Sequence, residues 1–224
     1  FADLGILPTL VPQLEKTQGW VNMDVKLDGT LAAPKVRGLI RVRNAALELP
    51  DFGLELKKLN ATVRDFGDDS LKMQVNVESG EKGQLKLNGK AKFLSATDWK
   101  VDLKIAGKNF EVVNMPEAWA LISPNLKVSM APDHIDVTGE VTLPEVALKL
   151  PESTNSAVGV SEDVVIVNPK EPVEEKKKVS EKMAISSKVK IILGDNVTFD
   201  GAGFKSRFGG AVIASNQPGK VTVG

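Results

Sequence analysis

The chain has 224 residues, 42% of them hydrophobic, which is enough apolar surface for a substantial core. Its 29 Lys and Arg residues balance its 29 Asp and Glu residues, so the net charge is zero and favours neither a nucleic-acid partner nor an anionic membrane surface. Cysteine is absent, which excludes disulfide scaffolds, thiolate metal sites and thiol nucleophiles.

The first 18 residues have the apolar periodicity of a helix. The residues that recur at spacings of three and four are Leu4, Leu7, Leu10, Val11 and Leu14. They would form one apolar stripe, and Gly19 follows them as a residue that commonly ends a helix. The pattern predicts one short N-terminal helix over residues 1–18. Because the sequence begins with Phe1 rather than Met and has no signal-peptide pattern, we expect a piece of a longer protein.

Residues 19–150 have a period of two instead. Apolar and polar residues alternate from Val21 to Leu27, which places the two sets on opposite faces of a strand. The alternation returns in later runs, which begin at Ile40, Leu71, Leu85, Trp99, Leu126, Ile135 and Val146. Its phase slips near Asn44, where a β-bulge or a bend is required. Residues 19–150 are therefore predicted to form a succession of strands.

Residue pairs typical of turns separate these runs, among them Asp28-Gly29, Gly67-Asp68 and Asn88-Gly89. Strands at such regular spacing, with almost no helix between them, exclude parallel βαβ units and favour antiparallel meanders. The predicted fold class is all-β.

Residues 151–182 differ in composition from the strands on either side. They contain two prolines in the run Pro169-Lys170-Glu171-Pro172, a charged run at residues 174–178 (EEKKK), and few large apolar residues outside 164–167. No period is present, which predicts a charged flexible loop. Alternation resumes at Met183, so residues 183–224 are predicted to continue the sheet.

The sequence offers no support for enzymatic chemistry. His134 is the single histidine, and a catalytic triad or a histidine metal site would depend on this one residue in a Pro132-Asp133 turn. The carboxylates of Asp68-Asp69, and of Asp195 with Asp200, lack the spacing of a calcium loop. We predict a protein that is not an enzyme and that holds no metal or cofactor.

The aliphatic faces of the predicted strands are the candidate site. They could close on one another as a dry β-sandwich, or the sheet could curl into an open groove whose apolar face binds aliphatic chains or unpaired strands. The candidate groove residues are Val25, Leu71, Met73, Val75, Leu85, Leu87, Val101, Leu103, Leu126, Val128, Ile135, Val137, Ile191 and Leu193. The periodicity leaves both arrangements open.

Three segments resemble the TamB family. Residues 29–38 (GTLAAPKVRG) resemble the family's GTL-x-x-P-x-V-x-G repeat, and residues 123–126 (SPNL) with 138–144 (TGEVTLP) resemble a later copy. Residues 193–199 (LGDNVTF), followed by Gly203-Phe204, resemble the segment after the charged loop. The resemblance covers nearly the whole chain.

The resemblance implies an elongated, curved, mostly antiparallel sheet that forms an open, taco-like groove with an apolar interior. It implies a periplasmic part of an inner-membrane-anchored protein of a Gram-negative bacterium, with the outer-membrane barrel TamA as partner in the translocation and assembly module. The implied function is non-catalytic shielding of apolar segments of outer-membrane protein substrates. One alternative is bridge-like transport of phospholipid acyl chains between the two membranes through the same groove, and a second is a closed β-sandwich that acts as a spacer or docking module.

Overall fold

The chain forms one open β-sheet. The computed structural model describes residues 2–6, 13–30, 33–65, 70–95, 97–150, 184–201, 203–217 and 220–223. Thirteen strands lie in these residues: β1 (Ala2–Asp3), β2 (Glu15–Thr30), β3 (Ala33–Leu49), β4 (Leu54–Asp65), β5 (Ser70–Ser79), β6 (Gly83–Ser95), β7 (Asp98–Lys108), β8 (Phe110–Asn114), β9 (Ala118–Met130), β10 (His134–Lys149), β11 (Ala184–Gly201), β12 (Phe204–Gln217) and β13 (Lys220–Val223). Neighbouring strands in the sheet follow the order of the chain from β1 to β13, and among the described residues the sheet does not close on itself. Strand β8 stands outside this order and pairs with β9. The all-β prediction is confirmed.

Most neighbours in the sheet are consecutive in the chain and antiparallel, as predicted. Strands β2 to β7 pair in succession, and β7 then pairs with β9. Short connections join antiparallel strands readily, which explains why the sheet follows chain order.

One pair departs from the predicted antiparallel meander. Strands β10 and β11 are parallel, with His134 opposite Ala184 and Lys149 opposite Asp200. The two strands are separated by 34 residues between Lys149 and Ala184, and a parallel neighbour needs a connection of about a dozen residues or more. The charged loop predicted at residues 151–182 lies in this connection and outside the described residues.

The N-terminal helix predicted for residues 1–18 is wrong where the structure describes that segment. Leu4–Ile6 form one 3₁₀ turn, and strand β2 already begins at Glu15. Strand β1 pairs with β2, with Asp3 opposite Trp20. Pairing with the rest of the sheet outweighs the weak helical periodicity of so short a segment. Part of the predicted stripe, including Leu7 and Leu10, lies outside the described residues.

The phase slip predicted near Asn44 is a β-bulge in the structure. Asn44 has a φ of 46°, and the register of β3 against β4 shifts between Val42 and Ala45. The Asn44 backbone N–H donates to Oδ1 of Asn60 over 3.0 Å, and Nδ2 of Asn60 donates to the Lys58 carbonyl over 2.8 Å. The Asn60 side chain thus satisfies backbone groups that the bulge takes out of the ladder.

The turn predicted at Asn88-Gly89 is wrong, because both residues lie inside strand β6. A Cβ on Gly89 would lie 2.6 Å from Cδ2 of Leu103 and 3.3 Å from Cε of Met73. Glycine stands there because neighbouring side chains occupy the space above it, which is a reason for glycine within a strand. Gly67-Asp68, also predicted as a turn, lies outside the described residues.

Candidate functional site

The register of the strands brings the predicted groove residues onto one face of the sheet. Residues directly opposite each other on paired strands project to the same side. Leu103 on β7 lies opposite Val128 on β9, and Val128 lies opposite Val137 on β10. The same register, followed from β2 to β11, defines the apolar face: Val25, Leu71, Met73, Val75, Leu85, Leu87, Val101, Leu103, Leu126, Val128, Ile135, Val137, Ile191 and Leu193.

The side chains of the apolar face are half-buried, except for that of Val25, which is 36% exposed. Lys72 and Gln74, which alternate with Leu71 and Met73 in β5, are exposed on the opposite, outer face. Side chains directly opposite each other on paired strands lie side by side on this face and shield one another. The described residues contain no second sheet over this face. The described residues therefore form an open sheet with an apolar face, as the open-groove prediction requires.

Exposure of apolar side chains increases toward the two margins of the sheet. Met23 and Leu27 on β2 are 63% and 75% exposed, and Ile185 on β11 is 51% exposed. The margins of the groove are therefore its most accessible apolar surfaces.

One end of the groove is closed by strand β8. The chain leaves β7 at Asn109, which has a φ of 48°, and β8 then contacts β4, β5 and β6. Phe110 on β8 is 7% exposed, and Val77 and Leu54 on the strands beneath it are each 8% exposed. Strand β8, the first half of β9 and the ends of β4, β5 and β6 beneath them form a region that we call the closed end. It holds three of the five buried apolar residues that the described part of the chain contains.

A buried carboxylate ties the closed end together. Glu111 is 8% exposed, and its Oε2 accepts a hydrogen bond from Nε1 of Trp119 over 3.0 Å. Its Oε1 accepts from Nδ2 of Asn114 over 3.2 Å. The fully buried Ser79 hydroxyl donates to the Glu111 backbone carbonyl over 2.9 Å. The sequence gives no sign of this cluster, because Glu111, Asn114 and Trp119 match no known motif and Ser79 comes from a distant strand.

Two glycines that the sequence analysis quoted only as parts of motifs allow close approach of neighbouring backbones. Gly38 and Gly139 have φ values of 129° and 131°, which L side chains rarely adopt. A Cβ on Gly38 would clash with the Asp24 carbonyl, and a Cβ on Gly139 with the Asn125 carbonyl. The positions that resemble family repeats therefore set the spacing of the β2–β3 and β9–β10 pairs.

His134 begins strand β10 and is paired with neighbouring carboxylates. Its Nδ1 lies 2.7 Å from Oδ1 of Asp133, and its Nε2 lies 3.6 Å from Oδ2 of Asp136. The hydrogen bond from His134, reinforced by a backbone hydrogen bond, lowers the pKa of Asp133 below its ordinary value. All three side chains are substantially exposed, so the arrangement is a polar surface cluster at the start of the strand.

A comparison with known protein families identifies the family of this chain. The model of the TamB C-terminal domain matches residues 72–223. The chain belongs to the TamB family. The family resemblance predicted from the sequence is thereby confirmed, and the matched residues include β8, β9 and most of the apolar face.

A relative that aligns with nearly the whole chain supports the same family. The Translocation and assembly module subunit TamB of Haemophilus influenzae is 26% identical over 226 residues, which cover 98% of this chain and 17% of the relative. The chain thus spans about a sixth of that relative's length. No solved structure matches this chain. In the described residues, no helix has the length and apolar character needed to cross a membrane.

Proposed function

We propose that this part of a TamB-family protein is a non-catalytic groove that shields apolar segments of outer-membrane proteins during their assembly. The observation that carries the proposal is an apolar face that extends from β2 to β11, is largely half-buried and, in the part of the chain that the structure describes, has no second sheet over it. By this proposal it acts in the periplasm of a Gram-negative bacterium, within an inner-membrane-anchored protein, with the outer-membrane barrel TamA as its partner.

The apolar face supplies binding energy without demanding a specific geometry. Burial of about 300 Å² of apolar surface by a guest strand would contribute on the order of 7 kcal/mol before the entropy cost of binding. Strands of outer-membrane proteins alternate apolar and polar side chains, so one face of such a strand is complementary to the groove. The proposed substrate therefore matches the groove in both shape and period.

An unpaired strand edge lies next to the groove. Strand β13 pairs with β12 only from Ala214 to Gln217. Within the described residues, the outer edge of β12 from Phe204 to Ile213 has no neighbouring strand, and both of these side chains are exposed. Such an edge can accept an incoming strand through main-chain hydrogen bonds. We infer that substrate capture combines edge pairing with burial against the apolar face.

Photocrosslinking from the two faces of one strand tests the proposal. A photoreactive amino acid at Leu103 projects from the apolar face, and the same residue at Lys104 projects from the outer face of β7. We expect crosslinks to nascent outer-membrane proteins in cells from position 103 and few from position 104. Equal yields at both positions, or no protein adduct at position 103, would contradict the proposal.

Transport of phospholipid acyl chains is the second candidate function. All fourteen residues of the apolar face are aliphatic or Met. Such a surface suits a flexible hydrocarbon chain, and this composition favours lipid transport. Native mass spectrometry with lipid extraction is the test. Co-purified phospholipid that is lost in a Leu103→Glu variant would support transport, whereas a lipid-free protein that takes up no fluorescent lipid would exclude it.

A further inference from the structure

The outer face of the central strands has a strong excess of positive charge. We define the basic outer face as the exposed Lys and Arg side chains that project opposite the apolar face from the second half of β4, from β5, β6 and β7, and from the second half of β9. Its members are Arg64, Lys72, Lys86, Lys90, Lys92, Lys100, Lys104, Lys108 and Lys127. Three acidic residues, Glu78, Asp98 and Asp102, project from the outer face of the same strand segments, so nine positive charges face three negative ones and the net charge is +6.

The register concentrates these charges. Lys92 lies opposite Lys100 on the paired strands β6 and β7, and Lys104 lies opposite Lys127 on β7 and β9. Like charges directly opposite each other destabilise a sheet. Part of the acidic charge is also engaged elsewhere, since Glu78 forms a 2.9 Å ion pair with Lys58, which is not a member of the basic outer face. An anion that covered this surface would relieve the repulsion between the paired lysines.

We propose that the basic outer face docks on the surface of an anionic phospholipid bilayer. Eight of its nine basic residues are lysines, whose compact, strongly hydrated charges suit diffuse attraction to many headgroups better than bidentate recognition of one group. Protein–protein interfaces are depleted in Lys and enriched in aromatic residues, and the outward positions of β5, β6 and β7 hold no aromatic residue. The composition therefore favours a charged lipid surface over an acidic protein.

The zero net charge of the chain does not argue against docking of the basic outer face on an anionic bilayer. Because total Lys and Arg equal total Asp and Glu, the excess of base on the basic outer face is balanced by an excess of acid elsewhere. Attraction to a charged surface depends on the charges within about one Debye length of it, so the charge of the docked face governs binding. Docking through the outer face would also leave the groove free for its cargo.

Vesicle flotation with the intact chain tests the proposal. We expect binding to vesicles of phosphatidylcholine mixed with phosphatidylglycerol, weakening as salt rises, and little binding to phosphatidylcholine alone. A variant with Lys86→Gln, Lys92→Gln, Lys104→Gln and Lys127→Gln should lose at least about tenfold in affinity. The matched control, which removes the same charge from other exposed positions, is Lys26→Gln, Lys35→Gln, Lys149→Gln and Lys205→Gln, and it should lose less than about threefold.

Three results would overturn the proposal. Equal binding to neutral vesicles would assign the interaction to acyl chains in the groove, and equal losses in both variants would assign it to overall charge. Binding to polyglutamate without binding to anionic vesicles would point to an acidic protein partner. Circular dichroism and thermal unfolding should show that both variants retain the fold, since every substituted lysine is exposed. The expected result does not depend on which cargo the groove carries.

Discussion

The open apolar face and the closed end differ in burial although strand β5 contributes to both. Met73 and Val75 are half-buried in the open groove, whereas Val77, two residues further along the same face, is 8% exposed and Ser79 is fully buried. Residue type and alternation are similar throughout the strand. The difference arises because β8 covers only the last part of β5. Burial in this sheet is therefore decided by what lies above a residue and not by its hydrophobicity.

A buried charge should separate the two regions most strongly. Val77→Glu would place a carboxylate in the closed end without a partner, and we expect it to lower the free energy of unfolding by about 3–5 kcal/mol or to prevent folding. Leu103→Glu on the open face should cost only about 1 kcal/mol, because the carboxylate can reach water. Urea unfolding followed by circular dichroism measures both, and equal losses would show that the apolar face is as closed as the end.

Backbone spacing gives the next largest effect. Gly139→Ala would require a side chain at a φ of 131° and a clash with the Asn125 carbonyl, so we expect a loss of about 2 kcal/mol or more. Gly209→Ala is the control, since nothing lies within 4 Å of its Cβ position. It should change stability by less than about 0.5 kcal/mol. A near-neutral Gly139→Ala would mean that the β9–β10 spacing is adaptable.

The Glu111 cluster should contribute less than the apolar core around it. Glu111→Ala leaves the Trp119 indole N–H and the Asn114 amide without their acceptor, and we expect a loss of about 1–3 kcal/mol in urea unfolding. The exposed Glu117 provides the matched control, for which Glu117→Ala should stay within about 0.5 kcal/mol of the parent chain. Similar effects at the two positions would contradict a structural role for the buried carboxylate.

The exposed carboxylate of Asp133 should show the smallest effect. Its pKa is lowered mainly by the His134 hydrogen bond, so His134→Ala should raise the Asp133 pKa toward its ordinary value in an NMR titration. A lowered pKa means that any stabilisation is present above the ordinary pKa of aspartate and disappears as pH falls through the lowered value. Solvent screening keeps that contribution small at this exposed site. An unchanged pKa in the variant would identify another cause.

Sequence periodicity predicted the strands well because it reports which side of a strand each residue occupies. The alternation around Leu103 and Leu126 identified residues that share one face, and the slip at Asn44 located a bulge. Asn88-Gly89 was misassigned because glycine within a strand and glycine at a turn look the same without the neighbouring strands. Glu111 was not predicted to be buried because its burial depends on the packing of β8 against β4, β5 and β6.

Local alternation and short motifs are sufficient to predict the all-β class, the family and the composition of the apolar face. The tertiary structure decided that the sheet stays open, that β10 and β11 are parallel, and that β8 closes one end. It also places an excess of basic side chains on the outer face of the central strands, although the charges of the whole chain sum to zero. These features depend on contacts between residues far apart in sequence, whose register and curvature no local pattern specifies.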